Sequence, residues 1–450
     1  MNITLMFKLL KQVRQLRQHE HWTRSQLEAY QTQALGQLRA YAYSRSPFYQ
    51  KFHEGLMDRP LEELPVLTKA MMMENFDSLV TDRSLHLEAI RAYAANGEAG
   101  QPYRGQYWVT ATSGSSGQPG FFLFDQNEWI AILASFARSQ VWSGVQIDLK
   151  HRQRMATVAS ISPWHMSSQV SATVKSWWRP SLRLPATQPL AQTVHQLNAW
   201  QPEVLITYAS MAGILAEEQR AGRLHIQPKV VYTSSELLTK QTRNLVCEIW
   251  GEEPFNQYAA TETASIAAEH RTCRQMHFFE DLVFVEVVDE NNRPVPPGTY
   301  GAKLLITTLF SRTQPLIRYE LKDSVRVRAT DHDCNLPFAV LESIQGREED
   351  TLHLPAAAGG KVEVQPLVFN RIMDILPVVG WQVAQQADNG LVVMLAGARD
   401  KLSEAWLEDQ LTRSLAQEGA QVPYIRIQHV TEIPKSASGK APLIKAHHGK

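Results

Sequence analysis

Residues 1–100 carry apolar positions at helical spacing. Met6, Leu9, Leu10, Val13 and Leu16 recur with Lys8, Lys11, Arg14 and Arg17 between them, which predicts an amphipathic first helix. Such a face packs on a core or lies on a membrane surface, and packing is the commoner fate. Thr23 is placed to N-cap a long helix reaching about Tyr43, Ser46-Pro-Phe-Tyr49 breaks it, and Thr68 is placed to cap another helix after Leu64-Pro-Val-Leu67. Residues 107–124 read as strand, polar loop, strand, and 126–143 as a helix with Trp129, Ile132, Leu133, Phe136 and Val141 on its apolar side. Short apolar runs then alternate with helical segments. Met155–Ile161, Val204–Tyr208 and Val230–Thr233 are strand-like; 190–200, 210–221 and 239–250 are helical. That alternation predicts a largely parallel sheet with helices on both faces.

From residue 278 the texture changes. Phe278–Val288 and Lys303–Thr308 flank Asn291-Asn-Arg-Pro-Val-Pro-Pro-Gly298, which predicts an antiparallel region. Beyond Gly346 lies a smaller pattern: a strand near 351–354, a helix near 365–375, strands near 379–386 and 390–396, a helix near 402–417 and a last strand near 424–430. The fold class is therefore α/β, with a large unit over 1–346 and a small α+β unit over 347–450, joined at the charged segment Gly346–Asp350.

Length agrees: 450 residues exceed what one core supports. Lys+Arg and Asp+Glu both number 45, so nothing argues for a nucleic-acid or anionic-membrane partner. Three cysteines make no disulfide framework and fit a reducing, cytoplasmic compartment. The basic residues within the first helix exclude a signal peptide, and no run approaches the ~20 apolar residues of a spanning helix.

The chemistry begins at Ala111-Thr-Ser-Gly-Ser-Ser-Gly-Gln-Pro-Gly120. Glycines let backbone N–H groups turn toward an anion, and Thr112, Ser113, Ser115 and Ser116 add hydroxyl donors. A surface glycine-serine turn would read the same way. The stretch is neither a Walker A loop nor a dinucleotide fingerprint. Val231-Tyr-Thr-Ser-Ser-Glu236 ends an apolar strand in hydroxyls and an acid, either a ligand site at a strand's carboxyl end or a helix cap. Asn256-Gln-Tyr-Ala-Ala-Thr-Glu-Thr263, Gln314-Pro-Leu-Ile-Arg-Tyr-Glu-Leu-Lys-Asp323, Gln345-Gly-Arg-Glu-Glu-Asp350 and Ile433-Pro-Lys-Ser-Ala-Ser-Gly-Lys440 complete the set.

Five of these stretches, all but Val231–Glu236, resemble, in order, the motifs of the adenylate-forming superfamily. The segments Tyr41–Gln50 and Leu64–Lys69 are similar to its phenylacetate–CoA ligase and coenzyme F390 synthetase-like branch. The resemblance implies ATP and Mg²⁺ as cofactors, and a carboxylic acid activated as acyl-adenylate and passed to CoA or an acyl carrier protein. Thr112, Ser113, Gly114, Ser115, Ser116 and Gly117 would hold phosphates, with Ser235 and Glu236 in the purine pocket. Tyr258 would lie against adenine, Thr261 on the α-phosphate, Glu262 on Mg²⁺, Asp323 on the ribose hydroxyls, and Arg347 toward the nucleotide. Glu349 would be the hinge and Lys440 the catalytic lysine of a mobile lid. The chain departs from the pattern at three places. Gly120 stands where the family has a lysine, Ala259 where it has glycine, and Lys322 where it has glycine. Asp323 could instead pair with Lys322 or Arg326 on a surface loop.

Other readings stay open. The acyl group could go to an amine or another nucleophile, or the chain could be a non-catalytic nucleotide-binding form; it could be monomer or homodimer. His270, Cys273, His332 and Cys334 could make a structural Zn²⁺ site, with His277 a competing ligand, or be unlinked. Trp164, His165 and Trp177-Trp178-Arg179 could line an acid pocket or belong to the core.

Overall fold

The structure, a computed structural model, describes residues 3–112, 119–145, 153–174, 180–330, 334–347, 350–398, 402–436 and 438–447. Helices fill the first hundred positions, as the periodicity predicts. Ile3–His19 packs on Gln126–Trp142 and buries Leu5 and Leu16, while Phe7 and Leu10 stay exposed. Thr23 caps Arg24–Arg45 through a capping box with Gln26, Ser46 ends that helix and starts Pro47–Phe52, and Thr68 caps Lys69–Glu74.

The largest sheet has nine strands among the described residues. One half is parallel, in the order Phe255–Ala260, Val230–Ser234, Val204–Tyr208, Met155–Ala159, Ser181–Pro185. The other half continues antiparallel from Phe255–Ala260 through Ala264–Glu269, Met276–Phe278 and Val340–Arg347 to Asp323–Val327. Ser181–Pro185 and the helix Met166–Val174 escaped the pattern because their apolar residues are few and interrupted. The run Phe278–Val288 is two strands, Met276–Phe278 and Val283–Val288, in different sheets. The latter pairs antiparallel with Lys303–Thr308 as expected.

Three apolar clusters carry most of the burial. One joins the N-terminal helices to the antiparallel strands, one lies under the parallel strands, and one draws only on residues 352–444. The helix Gln126–Trp142 also buries two charges that its apolar pattern hides. Arg138 forms a two-pronged pair with Asp281 at 2.7 Å, which also accepts from His19 at 2.8 Å. Glu128, pushed up to about 7 by burial and then by Asp125, accepts from the backbone N–H groups of Asp125, Arg312 and Thr313. No helix among the described residues is long and apolar enough to cross a membrane.

Candidate active site

A cleft of about 1520 Å³ opens at the carboxyl ends of the parallel strands, where backbone groups and side chains of successive loops converge. Ser160 and Ser162 follow one strand, Ser210 another, and Ser235 with Glu236 a third. Ser235 adopts a left-handed backbone, φ 69°, which turns the chain sharply after Ser234. The helix after it is capped by Thr239, not by these residues. Glu236 instead receives the backbone N–H of Ser210 at 2.9 Å and that of Ala441 at 2.7 Å. Burial raises its carboxyl above the ordinary value, against these two hydrogen bonds and the nearby Lys440.

Register assembles the next group. Asp323 opens one strand and Arg347 closes its partner, and the two face each other across the ladder. Asp323 accepts from Arg347 Nε at 3.1 Å and from the Tyr258 hydroxyl at 2.9 Å. Its surface-loop alternative is thus corrected. Asp323 is buried at the cleft wall, and Arg326 pairs with Glu342. A carboxylate has about four acceptor directions, so two partners leave room for ligand hydroxyls. Thr261 and Glu262 form the turn between the strands Phe255–Ala260 and Ala264–Glu269. The described lining reaches Ala259 but not these two. Glu262 is buried, and burial raises its carboxyl, while Arg347 and Lys69 oppose that rise.

The glycine-serine loop joins the paired strands Trp108–Ala111 and Phe121–Phe124. Its stem is closed by two hydrogen bonds. The Gly120 N–H donates to Thr112 Oγ1 at 2.8 Å, and the Thr112 N–H donates to the Gly120 carbonyl at 3.0 Å. Ser113, Gly114, Ser115, Ser116 and Gly117 lie outside the described residues, as do His332, Glu349 and Trp177–Arg179.

Sequence reasoning missed Lys69. A Cβ added at Gly120 would meet the Lys69 side chain at Cε, 3.1 Å away. The space that a larger residue at 120 would claim is thus taken by a lysine from another segment, whose charge also opposes the rise of the Glu262 carboxyl. Leu67 sets it there by pairing with the backbone on either side of Tyr319: its N–H donates to Arg318, and Glu320 donates to its carbonyl. The sequence signals there, the helix cap at Thr68 and the resemblance of Leu64–Lys69, say nothing of that distant neighbour.

Near the C-terminus, Ile433, Ser436, Ser438 and residues 440–446 also line the cleft. Lys440 Nζ stands 6.0 Å from the Tyr208 ring centroid, within cation–π range. The Tyr208 hydroxyl donates to the Ser438 carbonyl at 3.3 Å and accepts from the Ser160 N–H at 2.8 Å. Gly439, at φ 82°, comes so near Ala186 that a Cβ would sit 2.7 Å from the alanine's own. Trp164 and His165 also line the cleft. Burial, and then Lys440, hold His165 below the usual histidine value. His270, Cys273 and Cys334 gather elsewhere, at the far end of the strand that follows Glu262.

No protein-family model matches the chain. In sequence it is 24% identical over 372 residues to a phenylacetate-coenzyme A ligase of Thermus thermophilus, covering 79% of this chain and 77% of that one. In structure it is similar to a 2-hydroxyisobutyryl-CoA ligase. The postadenylation state in complex with 2-HIB-AMP gives a TM-score of 0.72 at 18% identity, over 96% of this chain and 92% of the other. The thioesterification state, in complex with 2-HIB-AMP and CoA, gives 0.59 at 17% identity over the same shares. The chain thus resembles a phenylacetate–CoA ligase in sequence and shares the fold of a 2-hydroxyisobutyryl-CoA ligase.

Proposed function

We propose that this chain is an acid–thiol ligase that activates a small or aryl carboxylic acid with ATP and passes the acyl group to the thiol of CoA. The observation that carries this reading is the convergence of Thr112, Glu236, Tyr258, Asp323, Arg347 and Lys440, from distant segments, on one cleft. In the first half-reaction a carboxylate oxygen of the acid attacks the α-phosphorus of ATP. The bond from that phosphorus to the bridging oxygen breaks, and pyrophosphate leaves. In the second, the thiol sulfur attacks the acyl carbon, the bond to AMP breaks, and the thiol proton is released.

The obstacle in the first step is an anion approaching a polyanion, so the protein's task is positioning and charge neutralisation. Asp323 holds the ribose through its free acceptor directions, with Arg347 and the Tyr258 hydroxyl fixing the carboxylate. Lys440 neutralises the acid and the α-phosphate. Lys69, beside Gly120, supplies the cation on the pyrophosphate side that the loop lacks. Glu262 would hold Mg²⁺. A carboxylate whose charge is opposed by burial suits a hard cation, and the ion when bound screens the triphosphate. Residues 347–450 act as a lid turning about Glu349; swinging away withdraws Lys440 and admits the thiol.

The test is pyrophosphate release with ATP, Mg²⁺ and a panel of carboxylic acids, each with and without CoA. Release with some acid, and CoA-dependent loss of free thiol with the same acid, is the expected result. ATP binding at equilibrium without release for any acid would instead make the chain a nucleotide-binding form of the fold.

A further inference from the structure

His270, Cys273, His277 and Cys334 are unused by the cleft, and none of them lines it. His270 Nδ1 and the two sulfurs lie within 4.8 Å of one another. Cys273 Sγ is 3.9 Å from His270 Nδ1 and 3.3 Å from His277 Nε2, and Cys334 Sγ is 3.9 Å from His270 Nδ1. A tetrahedral zinc ion, with bonds of about 2.3 Å to sulfur and about 2.0 Å to imidazole nitrogen, spaces its ligands roughly 3.3–3.8 Å apart. His270 and the two cysteines lie close to those spacings, and His277 Nε2 has such a spacing to Cys273 Sγ.

The second shell is also in place. His277 is fully buried, and its Nδ1 lies 3.0 Å from the Phe338 carbonyl, which can only accept. The ring proton therefore sits on Nδ1, and Nε2 turns its lone pair toward Cys273. Trp142 stands edge-on to both imidazoles, at 5.4 Å from His270 and 6.1 Å from His277. The turn between the strands Ala264–Glu269 and Met276–Phe278 holds Cys273 inward. The His270 N–H donates to Gln275, the Arg274 N–H donates to His270, and Arg274 takes a left-handed backbone at φ 53°.

The geometry points to a structural Zn²⁺ site made by His270, Cys273 and Cys334, with His277, 3.3 Å from Cys273, as the fourth ligand. Four protein ligands close the coordination shell, so the ion carries no open position for chemistry. It fastens the turn after Glu269 to the segment entering the strand Val340–Arg347, whose Val340 pairs with His277. The metal thus anchors the outer end of the hairpin whose inner turn carries Thr261 and Glu262.

Metal analysis of the full chain, purified without chelator, should find about one zinc per chain. Replacing it with Co²⁺ should give thiolate-to-cobalt charge-transfer absorption and the visible bands of a tetrahedral centre. Of the three cysteines, only Cys247 should react readily with a thiol reagent until a chelator is added. His277→Ala should weaken zinc binding more than about 100-fold, beyond the 10- to 100-fold typical of second-shell losses. His277→Cys should keep the metal, and His332→Ala should keep it with unchanged affinity. Chelation and reloading of the unmodified protein should lower and then restore its melting temperature, which separates metal loss from a variant that fails to fold. Zinc-free protein with three reactive thiols would overturn the site. Loss of zinc in His332→Ala with retention in His277→Ala would overturn the assigned fourth ligand.

Discussion

At the scale of single residues, one exchange stands out: a glycine at 120 and a lysine at 69 share one small space. If Lys69 neutralises the departing pyrophosphate, Lys69→Ala should lower kcat/KM for adenylate formation by about 10- to 100-fold, roughly 1.4–2.8 kcal/mol of transition-state stabilisation. Gly120→Lys alone should not raise activity, because its side chain would enter against Lys69. The two substitutions together should recover part of the loss. Pyrophosphate release under single-turnover conditions measures all three, and an unchanged Lys69→Ala rate would remove that lysine from the chemistry. Asp323→Ala should weaken ATP by roughly 30- to 1000-fold, the equivalent of about 2–4 kcal/mol for a lost charge-assisted pair, and leave acid affinity at saturating ATP nearly unmoved. ATP titration at fixed acid decides it; an unaltered ATP constant in a folded variant would exclude ribose binding. The sequence singled out Asp323 but could not show that Tyr258 and Arg347 hold its carboxylate, because the register that joins residues 258, 323 and 347 is written in no local pattern.

At the scale of elements, the helices and parallel strands were legible wherever period and caps agreed, as at Thr23, Thr68 and the runs ending at Tyr208 and Ser234. What stayed hidden were charges buried inside apolar patterns. Glu128 and Arg138 look like the polar side of a surface helix, yet each is held by partners more than a hundred residues away. His53, at the end of the helix Pro47–Phe52, is a further case. It is buried beside Tyr49 and Phe52, and burial together with Arg39 lowers it to about 4. Its Nε2 has no hydrogen-bond partner among the described residues. A histidine with a depressed folded value is neutral in the fold and takes up a proton once released. The stability it allows is therefore complete above about pH 6.5 and is lost as pH falls toward 4, by roughly 3 kcal/mol in all. Denaturant melts of the protein and of His53→Gln across that window should show the slope shrinking in the variant; equal slopes would mean that His53 is already protonated in the fold.

At the scale of the whole molecule, Glu236 accepts from Ser210 on one side and, on the other, from Ala441 in the segment proposed as a lid. In the proposed cycle that second bond breaks when the lid turns. Lys440→Ala should therefore nearly abolish acyl-adenylate formation, yet leave thioester formation from supplied acyl-adenylate largely intact. Rapid-quench measurement of the two half-reactions checks this, and equal loss in both would contradict a lid that works in two positions. On the same reading, the order in which the chain is synthesised has a consequence. Lys69 emerges early, and the frame of Tyr258, Asp323 and Arg347 follows, while Lys440 comes after all of them. A chain interrupted on the ribosome between residues 350 and 439 would present a nearly finished nucleotide seat without the group that makes it reactive. Such an incomplete product could occupy ATP but could not spend it, and so would release no free acyl-adenylate into its surroundings.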